Sequence, residues 1–322
     1  MFEAILGQGP AVETLQHALR ADRLHHAYRF EGPSGVGKEL TALTLARALL
    51  CERGGCGACA SCKRVMTFSA EPPQVPQHPD VVLVGRQLYP KNVVSKPETT
   101  GISVEQIRKV VLGRAGYPPH EGRALFFILR DADELTVSAA NALLKTLEEP
   151  GKNVHFILLT SRPHRLLDTV RSRTLAVRFR ALPDDVVARI LAEHGKNPAL
   201  APRAQGSASA ALELADSDDL DVLGKFAQGI REAVSDPGIT SALAFAGSLP
   251  SDKLELRRRL LGYGHDLAQQ LREAVRGQSG DGEDVRLTRS YQAVNRALLA
   301  LERNTAGTLA VEAMLVEMRH AR

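Results

Sequence analysis

The chain has 322 residues, 44% hydrophobic and 24% charged, enough for two or three domains with real cores. Lys and Arg total 41 against 37 Asp and Glu, and the resulting +4 is compatible with nucleic-acid contact but too small to argue for it. Aromatic residues make up 4% and Trp is absent, which speaks against an extensive base-stacking platform, and no run reaches the roughly 18 apolar residues of a membrane span.

The opening MFEAILGQGP lacks the basic start and apolar run of a signal peptide, so the expected compartment is the cytoplasm. Leu15 to Leu24 reads as a helix ending near His25, and Ala27 to Phe30 as a short strand. The stretch EGPSGVGKEL follows, and Glu39 to Leu50 is a strong helix of good helix formers. Residues 51–100 read as irregular, with four prolines between Pro72 and Pro79 and a probable strand at Val81 to Val84. Ser103 to Leu112 reads as a helix with Ser103 as N-cap. Ala124 to Leu129 and Val154 to Leu159 are continuous apolar runs that suit strands buried on both faces of a parallel sheet, with a shorter candidate at Ala176 to Phe179. Val137 to Glu149 is a helix stopped by Pro150 and Gly151. This alternation predicts a parallel α/β module over residues 1–180.

Beyond residue 181 the strand-like runs stop. Asp184 to His194 and Ser209 to Ala215 predict a small helical domain over 181–217, with Asp216 to Asp219 as a linker or helix start. The remainder, 218–322, reads as all-helical, with breaks at Asp236-Pro237-Gly238 and Gly277 to Gly282.

Two motifs carry chemistry. Gly32, Gly37 and Lys38 fit the G-x-x-x-x-G-K of a phosphate-binding loop, where backbone N–H groups and a helix N-terminus cradle an anion. The next residue should be a hydroxyl that binds Mg²⁺, but it is Glu39. Its carboxylate would repel a phosphate at about 4 Å by roughly 4 kcal/mol at an effective dielectric near 20. Cys51, Cys56, Cys59 and Cys62 are the only cysteines, and C-x₄-C-x₂-C-x₂-C over residues 51–62 suits a closed tetrahedral Zn²⁺ site. Disulfides and an iron–sulfur cluster are the alternatives.

The stretch NALLKTLEEP, Asn141 to Pro150, resembles the clamp-loader branch of the AAA+ ATPases. ILGQ (Ile5 to Gln8), RLHHAY before the first strand, and His78-Pro79-Asp80 are similar to segments of the same family. Active members carry an Asp-Glu pair eleven and ten residues before the Asn of that motif, and here those places hold Arg130 and Asp131. A three-residue slip would make Asp133-Glu134 the pair instead. Active members also carry an Arg in a Gly-Ser-x-Arg stretch, and in Gly206-Ser207-Ala208-Ser209 its place is taken by Ser209. Arg171-Ser172-Arg173-Thr174 resembles the family's Ser-Arg-Cys motif, whose Arg enters the neighbouring subunit's nucleotide site. The alternative for Arg173 is a surface ion pair.

The resemblance implies an AAA+ module with an inserted zinc element, a small helical lid and an all-α oligomerisation collar. It implies structural Zn²⁺ on the four cysteines, a vestigial phosphate loop at Gly32, Gly37 and Lys38 with weak or no ATP or ADP binding, and Arg173 acting in trans. The expected role is a non-hydrolysing, stator-like subunit of a hetero-pentamer with gamma/tau motor subunits and a delta subunit, loading a sliding clamp onto primer-template DNA. An active motor subunit of the same assembly is the first alternative. A stand-alone zinc-dependent DNA-binding protein is the second.

Overall fold

The computed structural model describes residues 2–94, 101–216, 220–236, 238–250, 252–277, 282–302 and 305–320. The expected linker or helix start at Asp216 to Asp219, the Pro237 break and most of Gly277 to Gly282 therefore lie largely outside the described residues. The chain divides into two compact units, residues 1–186 and 187–322.

The first unit is built on five parallel strands: β1 (Ala27–Glu31), β2 (Val81–Val84), β3 (Leu125–Leu129), β4 (Val154–Thr160) and β5 (Leu175–Arg178). Their order across the sheet is β2-β3-β4-β1-β5. All five residues of β3 are buried, as expected of a strand covered on both faces. Phe127 of β3 stacks on Phe156 of β4 with ring centroids 5.0 Å apart. Leaving β1, the chain crosses to the far edge at β2, while β5 lies on the other side of β1. Ligands of open parallel sheets bind at such reversals of strand order, outside the carboxyl ends of the strands.

Helix α1 runs Gly9–Arg20, not Leu15 to Leu24 as the sequence suggested. Pro10 fits the first turn of a helix, where its missing N–H costs nothing, and the left-handed Asp22 (φ 50°) breaks it. Helix α2 spans Lys38–Leu50 and is buried along most of its length. The expected helix after Ser103 forms, and the Ser103 hydroxyl accepts from the Gln106 N–H at 3.1 Å. It is wound as a π-helix over Ile107–Leu112, a form that hydrophobic spacing does not reveal.

The regular elements described in the second unit are all helices. It includes Ala208–Asp216, Leu220–Ser235, Thr240–Gly247, Lys253–Gly277, Glu283–Glu302 and Gly307–His320. Ile230, Leu260, Val294, Val311 and Leu315 are fully buried at its centre. Asp184–Glu193 straddles the boundary, and the helices expected of a lid and of a collar both fall in this unit. No described helix is long and apolar enough to cross a membrane.

Candidate functional site

The glycine loop leaves the carboxyl end of β1 and enters α2. Gly32 is required sterically: a Cβ there would lie 2.3 Å from the Phe179 carbonyl oxygen. Gly37 has φ 96°, a left-handed conformation that favours glycine, and caps α2. The buried Gln8 ties the loop to the end of β5. Its amide nitrogen donates to the Val36 and Arg180 carbonyls at 3.2 and 2.7 Å, and its oxygen accepts from the Arg180 N–H. Lys38 folds back on its own loop, with Nζ donating to the Gly32 and Pro33 carbonyls at 2.6 and 2.5 Å. Burial brings the Lys38 ammonium down to about 8, against the opposing pull of Asp131 and Asp133.

Arg130 immediately follows β3 and faces Glu39 at the start of α2. Its Nε and Nη2 donate to the two Glu39 carboxylate oxygens at 2.5 Å each, a fork-to-fork pair. Glu39 is therefore not an uncompensated charge beside the loop, as the sequence alone suggested. The two substitutions that look like separate losses form one contact: a carboxylate where a hydroxyl is expected meets a guanidinium where an acid is expected. Together they link the start of α2 to the end of β3.

The remaining acids sit differently. Asp131 adopts a left-handed conformation (φ 44°). Its carboxyl is pushed up by burial and by Asp133, while Lys38 pulls it down. Asp133 lies in a short 3₁₀ turn, Ala132–Glu134, and accepts from Arg162 Nε at 2.7 Å and Thr160 Oγ1 at 2.6 Å. With its side chain 1% exposed, Asp133 is committed to the end of β4. Arg130 and Asp131, and not Asp133-Glu134, directly follow β3.

Arg173 lies in the same unit, in the turn after the short helix Asp168–Arg171. Its Nε donates to Glu148 Oε1 at 2.6 Å, Nη2 also contacts that carboxylate, and Nη1 donates to the Thr169 carbonyl at 2.9 Å. The pair is partly open to solvent, with side chains 33% and 46% exposed. A recess of about 360 Å³ beside it is lined by His25, His26, Glu148, Ser172, Arg173 and Thr174. The two histidines are held by backbone: His25 Nδ1 by Ala27 and His26 Nε2 by the Leu147 carbonyl at 2.9 Å. Ser209 lies exposed in the first turn of its helix in the second unit.

The four cysteine sulfurs all lie within 4.8 Å of one another. Cys51 is 3.7 Å from Cys56 and from Cys59, and Cys56 is 4.0 Å from Cys62. Four thiolates about 2.3 Å from a tetrahedral metal would be roughly 3.8 Å apart, so the donor set fits. Cys51 belongs to the cluster although it ends α2, because Gly54, Gly55 and Gly57 take positive φ and turn the chain back. Burial pushes the Cys62 thiol up to about 12. A divalent cation would offset that cost and let four adjacent thiolates coexist. This element is joined to the sheet through Ser61, whose hydroxyl lies 3.1 Å from His78 Nε2. Two residues on, the fully buried Asp80 accepts from Arg114 and from the N–H groups of His120, Glu121 and Gly122.

Sequence reading singles out the loop, the cysteines and Arg173 but not the Arg130 partner of Glu39 or the Glu148 partner of Arg173. The first had a signal: two departures from one motif set carry opposite charges.

The chain is 33% identical over 220 residues to DNA polymerase III subunit delta' of Bacillus subtilis, covering 66% of this chain and 60% of that protein. It is 35% identical over 195 residues to DNA polymerase III subunit gamma/tau of Mycobacterium tuberculosis, covering 59% of this chain and 30% of that protein. It thus spans less than two thirds of the length of either relative. A gamma subunit-related protein from Thermotoga maritima shares the fold, with a TM-score of 0.55 at 17% identity over 96% of this chain and 99% of that one. The family model described as DNA polymerase III, delta subunit, matches residues 7–183, more than half of the sequence, and the chain belongs to that family.

Proposed function

We propose that this chain is a non-hydrolysing, stator-like subunit of a DNA polymerase III clamp loader that lends Arg173 to a neighbouring subunit's ATP. The Glu39–Arg130 pair carries the reading. Phosphoryl transfer on a phosphate loop needs a hydroxyl and an acid to hold Mg²⁺ against the phosphates. Here those two places hold opposite charges that satisfy each other at 2.5 Å. Lys38 is engaged with loop carbonyls, so any nucleotide would have to displace it as well.

Arg173 is the group left for catalysis. Its bond to Glu148 is partly exposed, and such pairs are typically worth under about 1 kcal/mol. A phosphate brought by a neighbour can displace that carboxylate, and the guanidinium then offsets charge developing on the transferred phosphoryl group. An arginine finger of this kind contributes roughly 10³ to 10⁵ in rate. The partners in this reading are gamma/tau motor subunits and a delta subunit, with the sliding clamp and primer-template DNA met through the assembly in the cytoplasm. Cys51, Cys56, Cys59 and Cys62 would hold a structural Zn²⁺, which would pin the segment after α2 and take no part in chemistry. The helices within 181–217 and 218–322 would serve as lid and collar.

The second reading, an active motor subunit, is favoured by the gamma/tau likeness and opposed by the Glu39–Arg130 pair. Calorimetric titration of the isolated chain with Mg-ATP, followed by a turnover assay, separates them. The stator reading predicts no hydrolysis and no Mg²⁺-dependent binding. Steady turnover by the chain alone would establish the motor reading instead.

A further inference from the structure

Arg29 is a buried cation on an interior strand, and the chemistry described so far gives it no task. It lies on β1, which is hydrogen-bonded to β4 on one side and β5 on the other, paired in register with Leu158 and Ala176. The residue is 7% exposed. A buried guanidinium needs both a counter-charge and acceptors for its fork of donors. Glu31, two residues along the same strand and so on the same face, accepts from Nε at 2.6 Å. The rest of the fork reaches the turn that carries Arg173. Nη1 donates to the Thr174 hydroxyl at 2.6 Å and to the Arg171 carbonyl at 2.9 Å, with the Thr174 carbonyl at 3.4 Å.

We infer that Arg29 is a positioning residue for Arg173, a role that rests on the in-trans reading above. The acceptors it satisfies lie two residues before Arg173 and one residue after it. The peptide units flanking Arg173 are thereby tied to the most constrained part of the sheet. Thr174 completes the device. Its hydroxyl accepts from Arg29 and donates to the Val170 carbonyl at 3.0 Å, which links the strand to the helix Asp168–Arg171. A cysteine at this place, as in the motif this stretch resembles, would offer a weak sulfur acceptor, so Arg29 and Thr174 form a matched pair. Glu148 holds the Arg173 side chain, whereas Arg29 holds its backbone.

The test has two arms. Amide hydrogen exchange on the isolated full chain compares native protein with Arg29→Met and with Thr174→Val, the latter nearly isosteric and the safer variant for folding. Both should speed exchange at Ser172, Arg173 and Thr174 about tenfold, the scale of one lost hydrogen bond to a charged group, with the β3 amides unchanged. In the reconstituted loader both should lower ATP turnover at saturating ATP. Neither should lower it further in an Arg173→Ala background, and Arg29→Lys, which keeps the charge without the planar fork, should recover only part. Unchanged exchange at 172–174 overturns the assignment. So does raised exchange with native turnover while Arg173→Ala is impaired. If Arg173→Ala itself is without effect, the in-trans reading fails and the positioning role falls with it, whatever the exchange arm shows about the turn. If Arg29→Met does not fold, Thr174→Val decides.

Discussion

The Glu39–Arg130 contact gives the most quantitative prediction. Two opposite unit charges about 4 Å apart attract by roughly 4 kcal/mol at an effective dielectric near 20. The side chains are 30% and 34% exposed, so solvent screens part of this attraction, and ordering two long side chains costs more of it. Bidentate geometry restores some of the loss, leaving a coupling of about 1–2 kcal/mol. Urea unfolding of the native chain, Glu39→Ala, Arg130→Ala and the double variant measures it directly. Each single substitution strands the partner's charge, so the double variant should be less destabilised than the sum of the two singles. The charge swap Glu39→Arg with Arg130→Glu should recover part of the stability. Coupling below about 0.5 kcal/mol would mean that the two residues changed independently, and the compensation argument would fail.

Two further outcomes follow from the buried polar anchors. Asp80→Asn should destabilise the chain by about 2–4 kcal/mol in urea melts, because its amide would confront donors that now all meet a carboxylate. Burial works to raise the Asp80 carboxyl, but the three N–H groups and His78 outweigh it and hold its pKa below the ordinary value. Its stabilisation is thus present above the unfolded pKa of about 3.9 and lost as pH falls toward the folded one, so Asp80→Asn should flatten the acid limb of the stability profile. Metal analysis of unchelated protein should find one zinc per chain, and Cys59→Ser or a strong chelator should lower Tm while leaving the sheet's circular dichroism largely intact. Much less than one equivalent of metal would count against the thiolate centre.

Much of the first unit was legible because its signals are local. The apolar runs Ala124 to Leu129 and Val154 to Leu159 suit doubly covered strands and became β3 and β4, and the glycine loop falls between a strand and a helix. The cysteine spacing predicted a cluster that the fold closes. Hydrophobic spacing alone misplaces the first helix, whose bounds are set by the Pro10 start signal and the break at Asp22. What stayed hidden is long-range. Glu39 and Arg130 are 91 residues apart, and Arg29 and Thr174 are 145 apart, so periodicity relates neither pair. Read singly, Glu39 was a repulsive defect and Arg130 a lost ligand, and only their contact shows that each answers the other.

The most direct test of the account is ATP turnover by the fully assembled loader, checked for composition by sizing, with native chain or with Arg173→Ala. A fall of about 10³-fold or more at the site facing this chain, with Arg173→Lys restoring little, is the predicted result. Native turnover from the Arg173→Ala assembly would reduce Arg173 to the surface partner of Glu148 and contradict the account at its centre.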